Sequence, residues 1–494
     1  MSSYDLPPEI LSAIFREVES DEDLLTLAAT SRQFNYLSLQ VFFSNHNFDP
    51  TNSKLIIAPE NSNYVGFLHK ITALAMSLAL QRTSVEDLLV GVGYIRSPEL
   101  VLHEIRTLTR YIMSLSTINR VTIRIEIPSG FPITMAACNT LLYTLIGKSC
   151  NHFHIKGEVS QYWVARQRLR DLFSSYKTSV ISKFSNWRRR RDSGYVLKSN
   201  TETKYLKQCI IQSLPTFLRP FYFQVLKVNA SVLTGLAFRS IFNPADLGLL
   251  LTNVHLPALE IFAMSWCTIP HNAIITFLSK HSHITAFQYY HITYRTERKV
   301  PRRLEGGLDC LESLTTGPKQ IFTFIPSMDR MPSIASIAIN MEEDFLKFDV
   351  VQEALRHLSS CVNKIDLTLY TCFVSRTFGL WLPELVHPQS SFWRGNEIML
   401  HCVESLHLQN GDWGYADSVL DRLPALLRLF PELKHLILHS GRPSSARQLS
   451  EVEERNTLLP FFEQVKLVCP TIRVVVIQGD SEWTHIHTYR FRYL

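Results

Sequence analysis

The 494-residue sequence predicts an α/β chain: a small N-terminal three-helix head, then an irregular α/β solenoid with inserted loops. Three observations carry this reading. Residues 6–43 hold more apolar residues at helical spacing than so short a unit can bury alone. An apolar triplet at positions 0, +3 and +5 recurs from Ile118 to Ile477. The runs between its copies carry aliphatic residues at helical spacing, so the unit reads strand, turn, helix, turn.

In the head (1–48), Pro7 and Pro8 suit a helix start and first turn, where a missing N–H costs little. Ile10, Leu11, Ile14, Phe15 and Val18 then form one broad helical face. Ser20 or Asp21 can cap a second helix, whose first turn holds Glu22 and Asp23 and whose apolar side is Leu24, Leu25, Leu27 and Ala28. Thr30-x-x-Gln33 matches a capping box for a third helix with Phe34, Leu37 and Val41 on its face. A unit of this size with so many apolar faces is expected to need a partner.

These residues resemble an F-box. The resemblance rests on Leu6-Pro7-x-Glu9-Ile10-Leu11-x-x-Ile14-Phe15, on Asp23-Leu24 and on Ser31-x-x-Phe34-x-x-Leu37, and covers roughly residues 4–45. It departs from the family where Phe34 replaces a frequent Trp and Thr30 a frequent Cys. The resemblance implies a three-helix module that docks on the SKP-type adaptor of a cullin scaffold, with Leu6, Pro7, Ile10, Leu11, Ile14 and Leu24 as anchors. It also implies a non-catalytic substrate receptor of an SCF-type ubiquitin ligase. The alternative is a scaffold or regulatory repeat protein whose head only caps the solenoid.

Residues 49–99 are expected as a helical linker or cap, and 100–494 as the array. Its triplets are Ile118/Val121/Ile123, Leu233/Leu236/Phe238, Leu259/Phe262/Met264, Ile284/Phe287/Tyr289, Ile334/Ile337/Ile339, Val362/Ile365/Leu367, Val403/Leu406/Leu408, Leu433/Leu436/Leu438 and Ile472/Val475/Ile477. Leu311/Leu314 is a weaker copy. The pattern resembles divergent leucine-rich repeats; Leu259-x-x-Phe262-x-Met264-x-x-Cys267 fits that form best. The competing topology is another α/β sheet, such as a doubly wound domain. Outward strand positions would make a mixed concave face for an unknown protein target, with Arg239, Tyr290, Asn340, Asp366, His407, His435 and His439 as candidate contacts. Three breaks interrupt the array: a basic helical insertion at 158–210, an excursion at 371–400, and a polar loop at 440–456.

Composition narrows the function classes. Hydrophobic residues make up 46%, so a large core is available, and a net charge of +6 is small for a specific nucleic-acid binder. Residues 161–210 hold twelve Lys and Arg against Asp171, Asp192 and Glu202, whereas the head is acidic. Trp187-Arg188-Arg189-Arg190-Arg191 reads as a solvated helix end or loop, or as a dock for an acidic or phosphorylated partner. Nine cysteines without C-x-x-C spacing fit buried free thiols in a reducing compartment, and Asp5 and Glu9 stand where a secretory leader would be basic or apolar. The uncharged stretch Ile261–Ser279 reads as strand, turn and helix rather than a membrane span, because Pro270-His271-Asn272 interrupts it. The protein is expected in cytoplasm or nucleus, without a membrane anchor.

No catalytic or cofactor motif stands out. Gly91-Val-Gly93 lacks the third glycine of a dinucleotide loop. His152-x-His154, His281-x-His283 and His485-x-His487 offer two ligands each, short of a zinc site. Cys267 reads as a core residue. No cofactor is expected.

Overall fold

A computed structural model describes residues 6–58, 64–77, 83–93, 98–126, 132–157, 205–213, 218–241, 244–290, 293–294, 304, 308–325, 331–341, 348–370, 399–409, 423–440, 451–479 and 487–490. The chain divides into two compact units, residues 1–240 and 241–494.

The first unit opens with α1 (Pro8–Arg16), α2 (Asp21–Thr30) and α3 (Arg32–Asn45). Pro7 is the N-cap of α1 and Pro8 its first residue. The Ser20 hydroxyl accepts from the Asp23 N–H at 3.3 Å and caps α2. The cap of α3 is one residue later than the sequence suggested. The Ser31 hydroxyl accepts from the Phe34 N–H at 3.2 Å, while Thr30 ends α2 and donates its hydroxyl proton to the Leu27 carbonyl. Ser31 takes the role because its backbone is extended, as a cap requires.

Beyond the head, six strands run in parallel in strict chain order: β1 (Lys54–Ile57), β2 (Ser84–Val92), β3 (Thr117–Ile125), β4 (His152–Gly157), β5 (Gln208–Gln212) and β6 (Gly235–Arg239). Helices α4 (Tyr64–Met76), α5 (Pro98–Ser114), α6 (Pro132–Ile146) and α7 (Arg219–Val228) lie between them in the chain. The segment expected as a helical linker therefore contributes two strands as well as α4. Pairing aligns Leu55, Leu88, Val121, Phe153, Cys209 and Leu236 in one row, and Ile57, Val90, Ile123, Ile155, Ile211 and Phe238 in the next. All twelve side chains are buried. Each row is a continuous apolar ladder, and slipping one strand by one residue would turn its share outward.

The second unit repeats the scheme. Its sheet runs β7 (Ile261–Ser265), β9 (Ala286–Tyr290), β11 (Ser313–Thr316), β12 (Ser336–Asn340), β13 (Ile365–Tyr370), β14 (Val403–Gln409), β15 (His435–Ser440) and β16 (Val474–Gly479), all parallel, with β17 (His487–Arg490) antiparallel at the end. Two short strands, β8 (Thr268–Ile269) and β10 (Thr293–Tyr294), pair separately. The helices are α8 (Pro244–Asn253), α9 (His271–Lys280), α10 (Pro318–Phe324), α11 (Phe348–Leu358), α12 (Leu423–Leu427) and α13 (Glu451–Val468). Phe262, Phe287, Leu314, Ile337, Leu367, Leu406, Leu436 and Val475 share a row, all buried.

That row corrects one repeat. Leu367, not Ile365, is the central residue of β13, and Val362 is 81% exposed. The regular pairing with β12 already sets Leu367 beside Ile337, and the position three before it is Lys364, so the apolar spacing at Val362/Ile365 is offset by two from the true repeat. Leu311/Leu314, the weaker copy, is a strand as well: Leu314 lies on β11 in the same row, with Thr316 at the +5 position. The uncharged stretch 261–279 is a strand and a helix around Pro270, as expected. Residues 451–456, expected as loop, begin α13. Of the excursion expected at 371–400, residues 371–398 lie outside the described residues, as do 158–204 of the basic insertion with its Arg188–Arg191 run; the end of that insertion, expected as a break to residue 210, instead enters the repeat strand β5.

Strictly sequential parallel strands with right-handed crossovers place their helices on one face of a sheet. Burial agrees: on β3, β4 and β5 the alternate positions that face away from the ladders are half-buried or exposed. A doubly wound sheet would reverse its strand order and cover both faces. Each unit is thus an open parallel sheet; the face away from the ladders is open on β3–β5 and partly closed in the second unit, where Ala338, Asn340 and Ser405 are buried.

Candidate functional site

Two surfaces can meet a partner: the flank of α1 and the uncovered sheet faces. On α1 a helical turn of 3.6 residues separates two stripes about 100° apart. Leu11 and Phe15 face inward, and Phe15 packs edge-on against Phe34 with ring centroids 5.2 Å apart. Leu24, Leu25, Ala28, Leu39 and Phe42 complete this core. Leu6, Ile10 and Ile14, spaced four residues apart, stay 42%, 47% and 49% exposed, beside the exposed Pro7. The broad face read from sequence is therefore split. Leu11 and Leu24 are core residues of the folded head, and four of the six expected anchors remain accessible. The split arises because α3 covers one side of α1 only.

Polar contacts fix the head against α4. The Asn35 amide donates to the Ala28 carbonyl at 3.1 Å and to the Met76 carbonyl at 3.0 Å. Asp21 lies 2.9 Å from His46 Nε2 and 3.3 Å from His69 Nδ1. These bonds join α2, α3 and α4 and leave the Leu6/Ile10/Ile14 stripe untouched.

In the second unit the outward positions form rows across the strands. Asp366, Ser405 and His435 share one row; Ala338, Thr368, His407 and Ile437 share the next. Asn340, Tyr370, Gln409, His439 and Gln478 make the third. The candidate contacts Asn340, Asp366, His407, His435 and His439 are thus brought onto one face. Tyr290 ends β9 in register with Ser265. Asp366 and His435 are exposed, His407 is half-buried with Nε2 3.1 Å from the Ser405 hydroxyl, and Asn340 is buried. This face is nearly neutral.

Arg239 belongs to the first unit, whose outward face differs. There Arg124, Lys156, Gln212 and Arg239 stand in one row, and Thr122, His154, Ile210 and Ala237 in the row beside it. Burial pushes the His154 imidazole below its usual pKa; a hydrogen bond with the Gln212 side chain opposes this, and the charges of Arg239, Lys156 and Arg124 add to it. The sequence reading did not assign Arg124 or Lys156. The signal was present: Cys150/Phe153/Ile155 and Leu206/Cys209/Ile211 carry the 0, +3, +5 spacing once cysteine is counted as apolar.

His281, Cys267 and the Gly91/Gly93 pair are structural, and His485 lies outside the described residues. His281 is enclosed: its Nε2 accepts from the Leu256 N–H at 2.9 Å, and its Nδ1 lies 2.7 Å from the Phe277 carbonyl. Nε2 accepts only as neutral imidazole, and burial lowers its pKa to about 4. Cys267 is buried, its thiol pushed up to about 12 by burial, and so is far from a nucleophile. Gly91 lies within β2, and Gly93 donates its N–H to the buried Glu104 carboxylate at 3.3 Å rather than opening a phosphate loop. Among the described residues no group of three or more His, Cys, Asp or Glu is placed to hold a metal ion, and no helix is long and apolar enough to cross a membrane.

A family model described as F-box-like matches residues 4–45. No curated protein matches the chain. The chain therefore carries an F-box-like module, of a kind that is generally a non-catalytic adaptor and points to an SKP-type binding partner.

Proposed function

We propose that the chain is a substrate receptor of a cullin–RING ligase of the SCF type. The head (1–48) docks on the SKP-type adaptor, and the strand–helix array, a divergent leucine-rich-repeat-like solenoid, holds a target protein. The observation that carries the reading is the exposed Leu6/Ile10/Ile14 stripe on a head matched by the F-box-like family. A head that served only as a cap would have its apolar stripes covered by its own chain; here one stripe is covered and one is not.

The protein does no chemistry in this reading. It raises the local concentration of target beside the ligase, converting a bimolecular encounter into a tethered one. Pro7 belongs to the docking surface, and Leu11 and Leu24 support it from within. In this reading Asp366, His407 and His435 meet the target, with Tyr290 and His439 at strand ends of the same sheet, while the buried Asn340 supports the face. The working compartment is cytoplasm or nucleus.

The test is co-purification of the full chain with a recombinant SKP-type adaptor. A 1:1 complex in size exclusion, lost with Ile10→Asp, is the expected result. Failure of the intact, folded chain to bind overturns the proposal.

A further inference from the structure

Two cysteines of neighbouring repeats meet in the second unit. Helix α11 ends at Leu358, and the chain turns there: the Cys361 N–H donates to the Leu358 carbonyl at 2.9 Å. One repeat later Cys402 stands directly before β14, and its thiol donates to that same carbonyl at 3.4 Å. The Cys402 carbonyl in turn accepts from the Ile365 N–H at 2.7 Å. These three bonds draw the two residues together, and their side chains are in hydrogen-bonding contact with each other. The Cys361 thiol also reaches the Asn363 carbonyl at 3.5 Å. Cys361 is 9% exposed and Cys402 3%, and neither is part of a disulfide.

A second turn of the same unit has this backbone arrangement without the pair. Helix α12 ends at Leu427, whose carbonyl accepts from the Phe430 N–H at 3.0 Å and from the Cys469 thiol at 3.3 Å. Phe430 stands there at the position that Cys361 holds, three residues after the helix end. A buried cysteine that donates to a carbonyl is thus part of the repeat, where it packs as a small apolar residue. The second thiol at the α11 turn is not required by the repeat. Cys150 and Cys267 differ again, since each donates to a carbonyl two residues away, of His152 and Ser265. Side chains already in contact satisfy the main steric demand of a disulfide, which is that the backbone need not travel to bring the sulfurs together.

We propose that Cys361 and Cys402 form a redox modification site, which closes reversibly into an intramolecular disulfide by exchange with a small disulfide such as oxidised glutathione. The Cys361 thiolate attacks one sulfur of the glutathione disulfide. That S–S bond breaks, one glutathione leaves as thiolate and takes up a proton, and a mixed disulfide remains on Cys361. The Cys402 thiol then gives its proton to solvent and attacks the Cys361 sulfur, expelling the second glutathione. The protein thiols lose two electrons and two protons, and the glutathione disulfide gains them. Cys361 reacts first because it is the more exposed and because the Cys402 S–H can turn from Leu358 to the new thiolate. The contact with Cys361, and burial after it, hold the Cys402 thiol up, while the Lys364 charge acts against them. In a reducing compartment the pair rests as thiols, and a disulfide there is a transient, sensing one. The bond ties the turn before β13 to the start of β14, the strands that carry Asp366 and His407, and closes a loop of roughly forty residues. This inference is independent of the ligase reading.

The test equilibrates the full, folded chain in buffers of increasing oxidised-to-reduced glutathione ratio. Samples are quenched in acid, alkylated with N-ethylmaleimide and digested without reductant, and mass spectrometry maps the bonds. The expected result is a Cys361–Cys402 linked peptide that grows with the ratio and disappears on return to dithiothreitol. Cys361→Ser and Cys402→Ser each abolish it, and Cys469→Ala leaves it unchanged. The oxidised chain is expected to melt about 5 °C higher than the reduced one, a difference absent from both serine variants. Recovery of both residues as thiols at every ratio, a mixed disulfide that stops at Cys361, a bond that joins either residue to Cys310 or Cys372 instead, or a linked peptide that forms only in urea overturns the proposal.

Discussion

Replacing Leu6, Ile10 and Ile14 by alanine separates docking from folding. Each side chain leaves nearly half its surface in water. Fully burying a large aliphatic side chain is worth about 1.5–3 kcal/mol, so the exposed half is worth roughly 1 kcal/mol on contact. One substitution should weaken adaptor binding about five-fold, and the triple variant, losing about 3 kcal/mol, by roughly two orders of magnitude. None should cost much stability, because these atoms are already solvated. Leu24→Ala is the contrast. Leu24 is 0% exposed, so its truncation leaves a cavity and costs about 2–5 kcal/mol of folding free energy. Isothermal titration with an SKP-type adaptor, paired with thermal melts, reads both quantities. Wild-type affinity in the triple variant, or an Ile10→Ala melt as low as that of Leu24→Ala, would refute the division of α1 into a docking stripe and a core stripe.

Further outcomes follow from other contacts. The folded His281 has its pKa lowered from about 6.5 to about 4, so neutral imidazole stabilises the fold fully above pH 6.5. That stability, up to about 3 kcal/mol, is lost as pH falls toward 4; urea melts across this range should show a flatter acid limb in His281→Gln. Asn35→Leu removes two donors that satisfy the Ala28 and Met76 carbonyls and should cost about 1–3 kcal/mol in a chemical melt. Ser31→Ala removes the α3 cap and should cost about 1 kcal/mol, with Ser31→Asp restoring it. Brief iodoacetamide treatment of the native chain should label the exposed Cys310 well before Cys138, Cys150, Cys209 or Cys267, whose burial holds each thiol at about 12; mass spectrometry of the digest reads the order.

Local signals placed the three head helices and α9 near their observed positions. Pro7-Pro8 started α1, Ser20 capped α2, and Pro270 separated β7 from α9, because caps and prolines act within one turn. Buried strands of the second unit were legible from Leu259/Phe262/Met264 and its copies. Less was legible where a local pattern was diluted. The Val85/Leu88/Val90 triplet was hidden by the surrounding apolar run Leu88–Val92, and on β13 Lys364 stands three residues before the central Leu367, so spacing favoured Val362/Ile365/Leu367 instead.

By itself the sequence determined the α/β class, the acidic three-helix head and the repeated strand–helix unit, since each follows from periodicities of 3.6 and 2 residues along the chain. Only tertiary structure decided that Leu11 turns inward while Ile10 stays in water, because that depends on where α3 lies. It also decided that Arg124, Lys156 and Arg239, distant in sequence, share one row. Strand pairing sets such rows, and pairing joins residues that no local pattern relates.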